Sequence, residues 1–296
     1  MGGTALDDDE LLAAGDRNLA DVLRLYGRTA PGAVMEDDGG LLLLSSLPSW
    51  PAPYHNGAFR LDRSLPAAEV LGRAAAFFDG RASGYCVWIA AHADGDLEDA
   101  ALSAGYAPIS PEGTPRMALG HPLARAVPPP GVTLEEVVDD GGRRAYLAVT
   151  VEAYAESFLP FDAARTNLAT LASVCAPNVR AVVAHVDGRP VAAAMVVASG
   201  PGAGEPGAGG PGSGPGTGAA GPERWVASVQ LVGTVPSARG RGLGELCTRW
   251  AVGAGFELGA TAMVLEASEA GDPLYRRMGF AEVSRYRWCF GPPRTV

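Results

Sequence analysis

The chain has 296 residues, 47% hydrophobic and 19% charged, enough to bury a core in one large domain or two ordinary ones. All 23 basic residues are arginine, which excludes every chemistry built on a lysine side chain, from a phosphate-loop lysine to a Schiff base. The net charge of −10 argues against nucleic acid and anionic membrane surfaces as partners, and it is uneven: residues 1–127 hold 17 acids against 9 arginines, residues 128–296 hold 16 against 14.

At the N-terminus, Asp7, Asp8, Asp9 and Glu10 stand where a secretory leader needs positive charge followed by an apolar run. No stretch approaches the ~18 uncharged apolar residues of a membrane span. Cys86, Cys175, Cys247 and Cys289 are far apart and form no CxxC pair, so neither a metal site nor a disulfide framework is expected, and a reducing cytoplasm is the expected compartment. The first elements then follow: a helix over 11–26, strands over 41–44 and 57–61, a helix over 66–78 and a strand over 85–91. The run VPPPG at 127–131 reads as a linker between domains.

Beyond it the pattern predicts a strand over 132–138 and helices over 141–158 and 162–172. A hairpin follows, with strands 179–186 and 190–198 joined through Asp187 and Gly188. Residues 200–222 hold 11 glycines and 5 prolines, with Glu205 the sole charge, and read as a flexible insertion between two strands of one sheet. A strand over 225–235, a helix over 242–258, a strand over 262–266, a short helix over 273–278 and a strand over 280–290 complete the chain. The expected class is α/β with a mixed parallel and antiparallel sheet flanked by helices. Residues 88–108 share the layout of 263–283, an apolar strand, a polar turn, a short helix, then Gly and an aromatic, so that Gly105-Tyr106 falls on Gly279-Phe280. A tandem duplication explains this, although strand-turn-helix-Gly also recurs by accident. The expected division is 1–126, a linker at 127–131, and 132–296.

The strongest local signal is VGTVPSARGRGLGE at 232–245. Pro236 ends a strand, a helix opens near Gly242, and Arg239, Gly240, Arg241, Gly242 and Gly244 lie between or just inside. Glycines at a helix N-terminus expose backbone N–H groups that, with the helix dipole, favour an anion such as phosphate, and arginines add bidentate donors. A Gly-rich turn with two solvated arginines is the plain alternative. A dinucleotide fold is a rival, with Glu266 as its ribose-binding acid, but the spacing is GxGxG and too few residues follow.

Arg239-x-x-Gly242-x-Gly244 after a strand resembles the Q/R-x-x-G-x-G/A signature of the GCN5-related N-acetyltransferases. Ser268 to Phe280 (SEAGDPLYRRMGF) is similar to that family's later N-x-x-A-x-x-L-Y-x-x-x-G-F, with Ser268 for Asn and Gly271 for Ala. The resemblance covers about 132–290. It implies two such folds in tandem, the first degenerate, because the first half has no RxxGxG and Tyr275 falls on Ala101. It implies acetyl-CoA as co-substrate, with the pyrophosphate on Arg239, Gly240, Arg241, Gly242, Leu243 and Gly244. Val232, Gly233 and Thr234 would lie along the pantetheine, with Ser268 at its arm. It also implies direct attack by a primary amine of a small-molecule or peptide acceptor, with Tyr275 protonating the leaving thiolate. Tyrosine suits that role, being protonated at neutral pH, though packing on the sheet also explains it.

The general base is open. The strand before the turn offers Ser228 and Gln230, neither a base; Glu152, Glu156 and Glu266 are candidates, though charged helix residues commonly form only a solvated face. His185 reads as a sheet residue, and Cys247 and Cys289 have no histidine signature to activate them. Tyr54-His55-Asn56 is the polar aromatic cluster of the first half, for acceptor binding or for packing on the second half. A catalytically inactive CoA-binding sensor or scaffold is the alternative to the enzyme, and the oligomeric state is not readable.

Overall fold

The acidic run at the N-terminus begins a helix. Asp7 caps α1 (Asp8–Thr29), its carboxylate accepting the Glu10 N–H at 2.8 Å, and three acids in the first turn complement the helix dipole. The computed structural model describes residues 7–46, 53–81, 84–125, 127–155, 161–200 and 225–292, with only the backbone given for 161–163. Apart from Gly200, the Gly/Pro-rich insertion lies outside the described residues, as does Glu156.

After α1 come β1 (Val34–Asp37), β2 (Leu41–Ser45), β3 (Asn56–Arg60), α2 (Ala67–Phe78), β4 (Cys86–Ala90), α3 (Gly95–Ser103), β5 (Ala107–Pro108) and β6 (Thr114–Leu119). The later part contains β7 (Val132–Glu136), α4 (Asp140–Ala153), α5 (Phe161–Asn167), β8 (Val179–Val186), β9 (Arg189–Ala198), β10 (Val226–Thr234), α6 (Leu243–Glu257), β11 (Ala262–Glu266), α7 (Asp272–Arg277) and β12 (Ala281–Phe290). The expected hairpin is β8–β9. Asp187 and Gly188 at its tip have φ of 49° and 75°, the pair of positive values that a tight hairpin needs and that this dipeptide supplies. Strands β1 and β6 have no counterpart in the sequence reading, because β1 is short and mostly exposed and β6 carries Pro115 near its start.

All strands belong to one mixed sheet in the order β1-β2-β3-β4-β12-β6-β11-β10-β9-β8-β7, with β5 against β12. Two neighbouring pairs are parallel, β3 with β4 and β10 with β11; the rest are antiparallel. The final strands are exchanged. β6, the last before the linker, pairs with β11, and β12, the last of the chain, pairs with β4 (Trp288 opposite Trp88) as well as with β6. The sheet therefore runs unbroken through both halves, and apolar side chains from α1, β6, α4, β8–β11 and α6 share one core.

In both parallel pairs the contact ends early. β10 meets β11 from Val226 opposite Ala262 to Ser228 opposite Val264, and β3 meets β4 only at Gly57–Cys86 and Ala58–Val87. Both strands of each pair continue past the last partner, so the sheet opens there.

Candidate active site

One edge of the second opening is irregular. Between Gln230, opposite Met195, and Gly233, opposite Ala193, β10 carries one residue more than β9, and Leu231 there has φ of +46°, rare for a branched side chain. The carbonyls freed by this bulge turn towards α4. Leu231 O accepts from the Tyr146 hydroxyl at 2.9 Å and Val232 O from the Tyr154 hydroxyl at 2.7 Å. Gly233 is required at this crossing, since a Cβ there would lie 2.9 Å from the Ala153 Cβ.

The expected anion turn follows directly. A 3-10 turn at Pro236–Ala238 leads through Arg239 to Gly240 and Gly242, whose φ values of +74° and +73° leave only open space where a Cβ would stand. Among the described residues, no backbone N–H from Gly240 through Glu245 has a hydrogen-bond partner, and the first bond of the turn into α6 is Leu246 N–H to Gly242 O at 2.9 Å. That run of donors at the N-terminus of a 15-residue helix fits a phosphate. Gly244 packs on Thr234, with 3.2 Å from a Cβ to Oγ1. Leu243 is buried and anchors the helix, while Arg241 is exposed. The exposed Arg239 guanidinium donates to Thr234 O at 3.3 Å and Ala153 O at 3.1 Å, tying the end of β10 to the end of α4 beside the turn.

Beyond β11, the exposed Ser268 stands before α7, its hydroxyl accepting the Gly271 N–H at 3.2 Å. The Tyr275 ring lies on Gly271, where a Cβ would come within 2.8 Å of it, so Gly fits where the related signature has Ala. The ring also meets Phe280 edge-on at 5.9 Å. Its hydroxyl has no hydrogen-bond partner among the described residues, and burial pushes its pKa up to about 12, so it remains a neutral donor throughout the physiological range.

Of the candidate bases, Glu152 is exposed on α4. Glu266, at the end of β11, is buried in an ion pair with Arg116 of β6, whose other nitrogen donates to Gly15 O at 2.7 Å. Its second oxygen meets the Tyr54 hydroxyl and the Gln230 amide, both at the long distance of 3.4 Å. Residues 1–126 thus supply two of the groups around this carboxylate. The polar aromatic run Tyr54-His55-Asn56 marks Tyr54 in the sequence, whereas the signal for Arg116 is only an arginine within the strand Thr114–Leu119. His55 is fully buried against Ser46, its Nδ1 3.0 Å from the hydroxyl, and His185 sits in β8. Burial pushes the Cys247 and Cys289 thiols up to about 12 and about 11, which suits inert thiols rather than nucleophiles.

Residues 146–280 match the acetyltransferase (GNAT) family. No curated protein matches the chain. Among solved structures, a GCN5-related N-acetyltransferase from Kribbella flavida is similar with a TM-score of 0.66 at 23% identity, over 95% of each chain. One from Sphaerobacter thermophilus has a TM-score of 0.53 at 15% identity, over 99% of this chain and 96% of that one. A tandem GNAT protein from the clavulanic acid biosynthesis pathway has a TM-score of 0.52 at 17% identity, over 96% of this chain and 98% of that one. Residues 146–280 thus match the acetyltransferase (GNAT) family, and the fold along the length of the chain is similar to that of GCN5-related N-acetyltransferases and of a tandem GNAT protein.

Proposed function

We propose that this protein transfers an acetyl group from acetyl-CoA to a primary amine of a small-molecule or peptide acceptor. The match of residues 146–280 to the acetyltransferase (GNAT) family supports acetyl-CoA-dependent acetyltransfer in general. The observation that carries the reading is the run of unpartnered N–H groups from Gly240 to Glu245 at the start of α6, a cradle for the pyrophosphate that needs no lysine. Residues 132–296 carry this chemistry, while residues 1–126 form a degenerate partner that helps to shape the acceptor side through Tyr54 and Arg116. No described helix is long and apolar enough to cross a membrane. Four free cysteines support a cytoplasmic setting.

In this reading Gly240 to Gly244 hold the pyrophosphate and Ser268 stands beside the pantetheine arm. A backbone N–H of residues 232–234 that points away from β9 donates a hydrogen bond to the thioester carbonyl oxygen. The acceptor nitrogen forms its bond to the acyl carbon, the carbon–sulfur bond breaks, and Tyr275 supplies a proton to the departing sulfur and regains one from solvent. The amine loses its proton to water or to Glu266. Changing Tyr275→Phe should lower turnover by about 10²–10⁴ while leaving CoA affinity unchanged, measured by thiol release and by titration. Full turnover in that variant removes Tyr275 as the acid.

A second reading, a CoA-binding sensor, is favoured by one observation: the carboxylate nearest the opening, Glu266, already serves as the partner of Arg116. Thiol release across an amine panel separates the two. Turnover on any amine decides for the enzyme, and CoA binding without turnover decides for the sensor.

A further inference from the structure

The chain has eight tyrosines, and a buried phenol ordinarily finds a hydrogen-bond partner. Six of them do: Tyr54 meets Glu266, Tyr85 and Tyr106 meet each other at 2.6 Å, Tyr146 and Tyr154 donate to Leu231 O and Val232 O, and Tyr286 donates to Asp16. The two hydroxyls without a partner among the described residues are those of Tyr275 and Tyr26. Tyr275 has its role on the sulfur side of the proposed reaction. Tyr26 belongs to α1, in the other half of the chain, and is only 1% exposed. A hydroxyl at that depth with no protein partner is available to a ligand.

The course of α1 accounts for its position. Asn18 pins the helix to the start of β10, its amide donating to Val197 O at 3.0 Å and to Val226 O at 3.3 Å. From Asn18 to Tyr26 a helix advances about 12 Å, and from Val226 to Gln230 a strand advances about 13 Å, which is the reach needed to bring Tyr26 to the opening beside β10. The ring contacts agree: Tyr26 meets Tyr54 edge-on at 6.2 Å, and Tyr54 reaches Glu266. Burial pushes the Tyr26 phenol above the ordinary tyrosine value, and the Glu266 charge adds to it, as it does for a phenol near that carboxylate.

Glu266 is itself short of a donor. Its Oε1 holds Arg116, whereas its Oε2 has only the Tyr54 hydroxyl and the Gln230 amide, both at 3.4 Å, well beyond the about 2.7–2.9 Å of a charge-assisted bond. At Tyr54, burial is the first cause of the raised pKa and the Glu266 charge the second, outweighing that of Arg116, so the opening favours a cation. One carboxylate oxygen lacking a close donor and one phenol oxygen without a partner fit an ammonium group, which carries several N–H donors and no acceptor. The surroundings limit what the nitrogen is attached to. The Tyr26 and Tyr54 rings flank it, and α1 lies hydrogen-bonded across β9 and β10, so a narrow alkyl chain fits where a peptide backbone lying on this face would meet the helix.

We propose that Tyr26 is a specificity-determining residue of the acceptor site: its hydroxyl and Glu266 Oε2 together hold the nitrogen of a straight-chain primary alkylamine, bound as the ammonium. The proposal rests on the acyl-transfer reading above and narrows its acceptor from any small-molecule or peptide amine to this class. It also gives the first half a part in substrate choice, through a residue of its first helix.

The test uses the full chain, acetyl-CoA and thiol release, with straight-chain amines from propylamine to hexylamine compared with triglycine, whose single amine is an α-amine. The unmodified protein should turn over at least one straight-chain amine with kcat/KM about tenfold or more above that for triglycine. Tyr26→Phe keeps the ring and should raise KM for that amine about tenfold or more, the loss of one hydrogen bond to a charged group, with kcat and CoA affinity nearly unchanged. Its melting temperature should not fall, because the hydroxyl removed has no partner in the protein. An unchanged KM, or triglycine as the better acceptor, overturns the proposal and leaves the acyl-transfer reading standing. A fall in melting temperature alongside the rise in KM assigns the hydroxyl to the fold and overturns it too. CoA binding with no turnover of any straight-chain amine also overturns it. Failure to bind CoA, read by calorimetry before any amine is added, overturns the acyl-transfer reading with it.

Discussion

The turn after β3 and the turn after β10 occupy the same place in two similar frames, and they treat their backbone N–H groups in opposite ways. After β10, the donors from Gly240 to Glu245 are left without partners among the described residues. After β3, Leu61 and Asp62 both donate to Gly40 O, at 2.8 and 2.9 Å, Ser64 donates to the Asp62 carboxylate at 2.8 Å, Leu65 donates to Asp62 O at 3.1 Å, and Pro66 has no N–H to give. Asp62 itself supplies two of these acceptors, its carboxylate and its carbonyl oxygen. The openings differ in the same sense. Two residues past the last paired position, β10 carries Gln230, which touches Glu266 across the gap at 3.4 Å, while β3 carries Arg60. The Arg60 guanidinium takes Asp94 at 2.8 Å, the Asp96 carboxylate at 2.6 Å and Leu65 O at 3.1 Å, and Asp94 also accepts from Ala90 N–H of β4 at 2.9 Å. The first opening is thus bridged by a buried ion pair. In the first half, protein groups satisfy these donors and bridge the gap within the same kind of frame.

The largest expected effect of breaking this contrast is on stability. Asp94 is fully buried and pairs with both Arg60 and Arg63, so Arg60→Leu combined with Arg63→Leu strands its carboxylate, and the protein should lose about 3–5 kcal/mol in denaturant unfolding. The variant should still fail to bind CoA in the first half, since its turn donors remain occupied; a second CoA site would contradict the comparison.

A somewhat smaller effect comes from His55, at the entrance to β3. Burial lowers its pKa to about 4, against about 6.5 in the unfolded chain. Between those values the unfolded state binds the proton and the folded state does not. The contribution is therefore complete above pH 6.5, and it is lost as pH falls towards 4, to a total of about 3 kcal/mol. His55→Gln should flatten the difference in stability between pH 7 and pH 4.5, and an unchanged pH slope would contradict it.

Much of the second half was legible in its residues. Turn glycines, a proline-ended strand and a helical apolar pattern marked the turn that opens α6, and the resemblance of residues 268–280 to the later family signature pointed to Tyr275. What escaped depends on tertiary pairing. Nothing local marks β6 as the neighbour of β11, so Arg116 could not be placed beside Glu266 from sequence. Tyr146 and Tyr154 escaped because their partners are backbone carbonyls of a bulge, and a bulge leaves no residue signature when a leucine occupies the positive-φ position. Nothing in the strand predicted over 57–61 singles out Arg60, because its two acids, Asp94 and Asp96, come from the start of α3. The exchanged final strands also mean that the linker at 127–131 separates segments of chain without separating the sheet.

The central claim is that the chain holds one CoA per molecule, on the donors after β10 and nowhere after β3. Calorimetric titration with CoA tests it most directly, on the unmodified chain and two variants. Gly242→Asp places a carboxylate among the free donors, in open space and at a backbone conformation that aspartate tolerates. Asp62→Ala releases the donors of the other turn. The account predicts one site in the unmodified chain, an affinity at least about a hundredfold weaker in Gly242→Asp, and no change in Asp62→Ala. No binding, two sites, or full affinity in Gly242→Asp would contradict it.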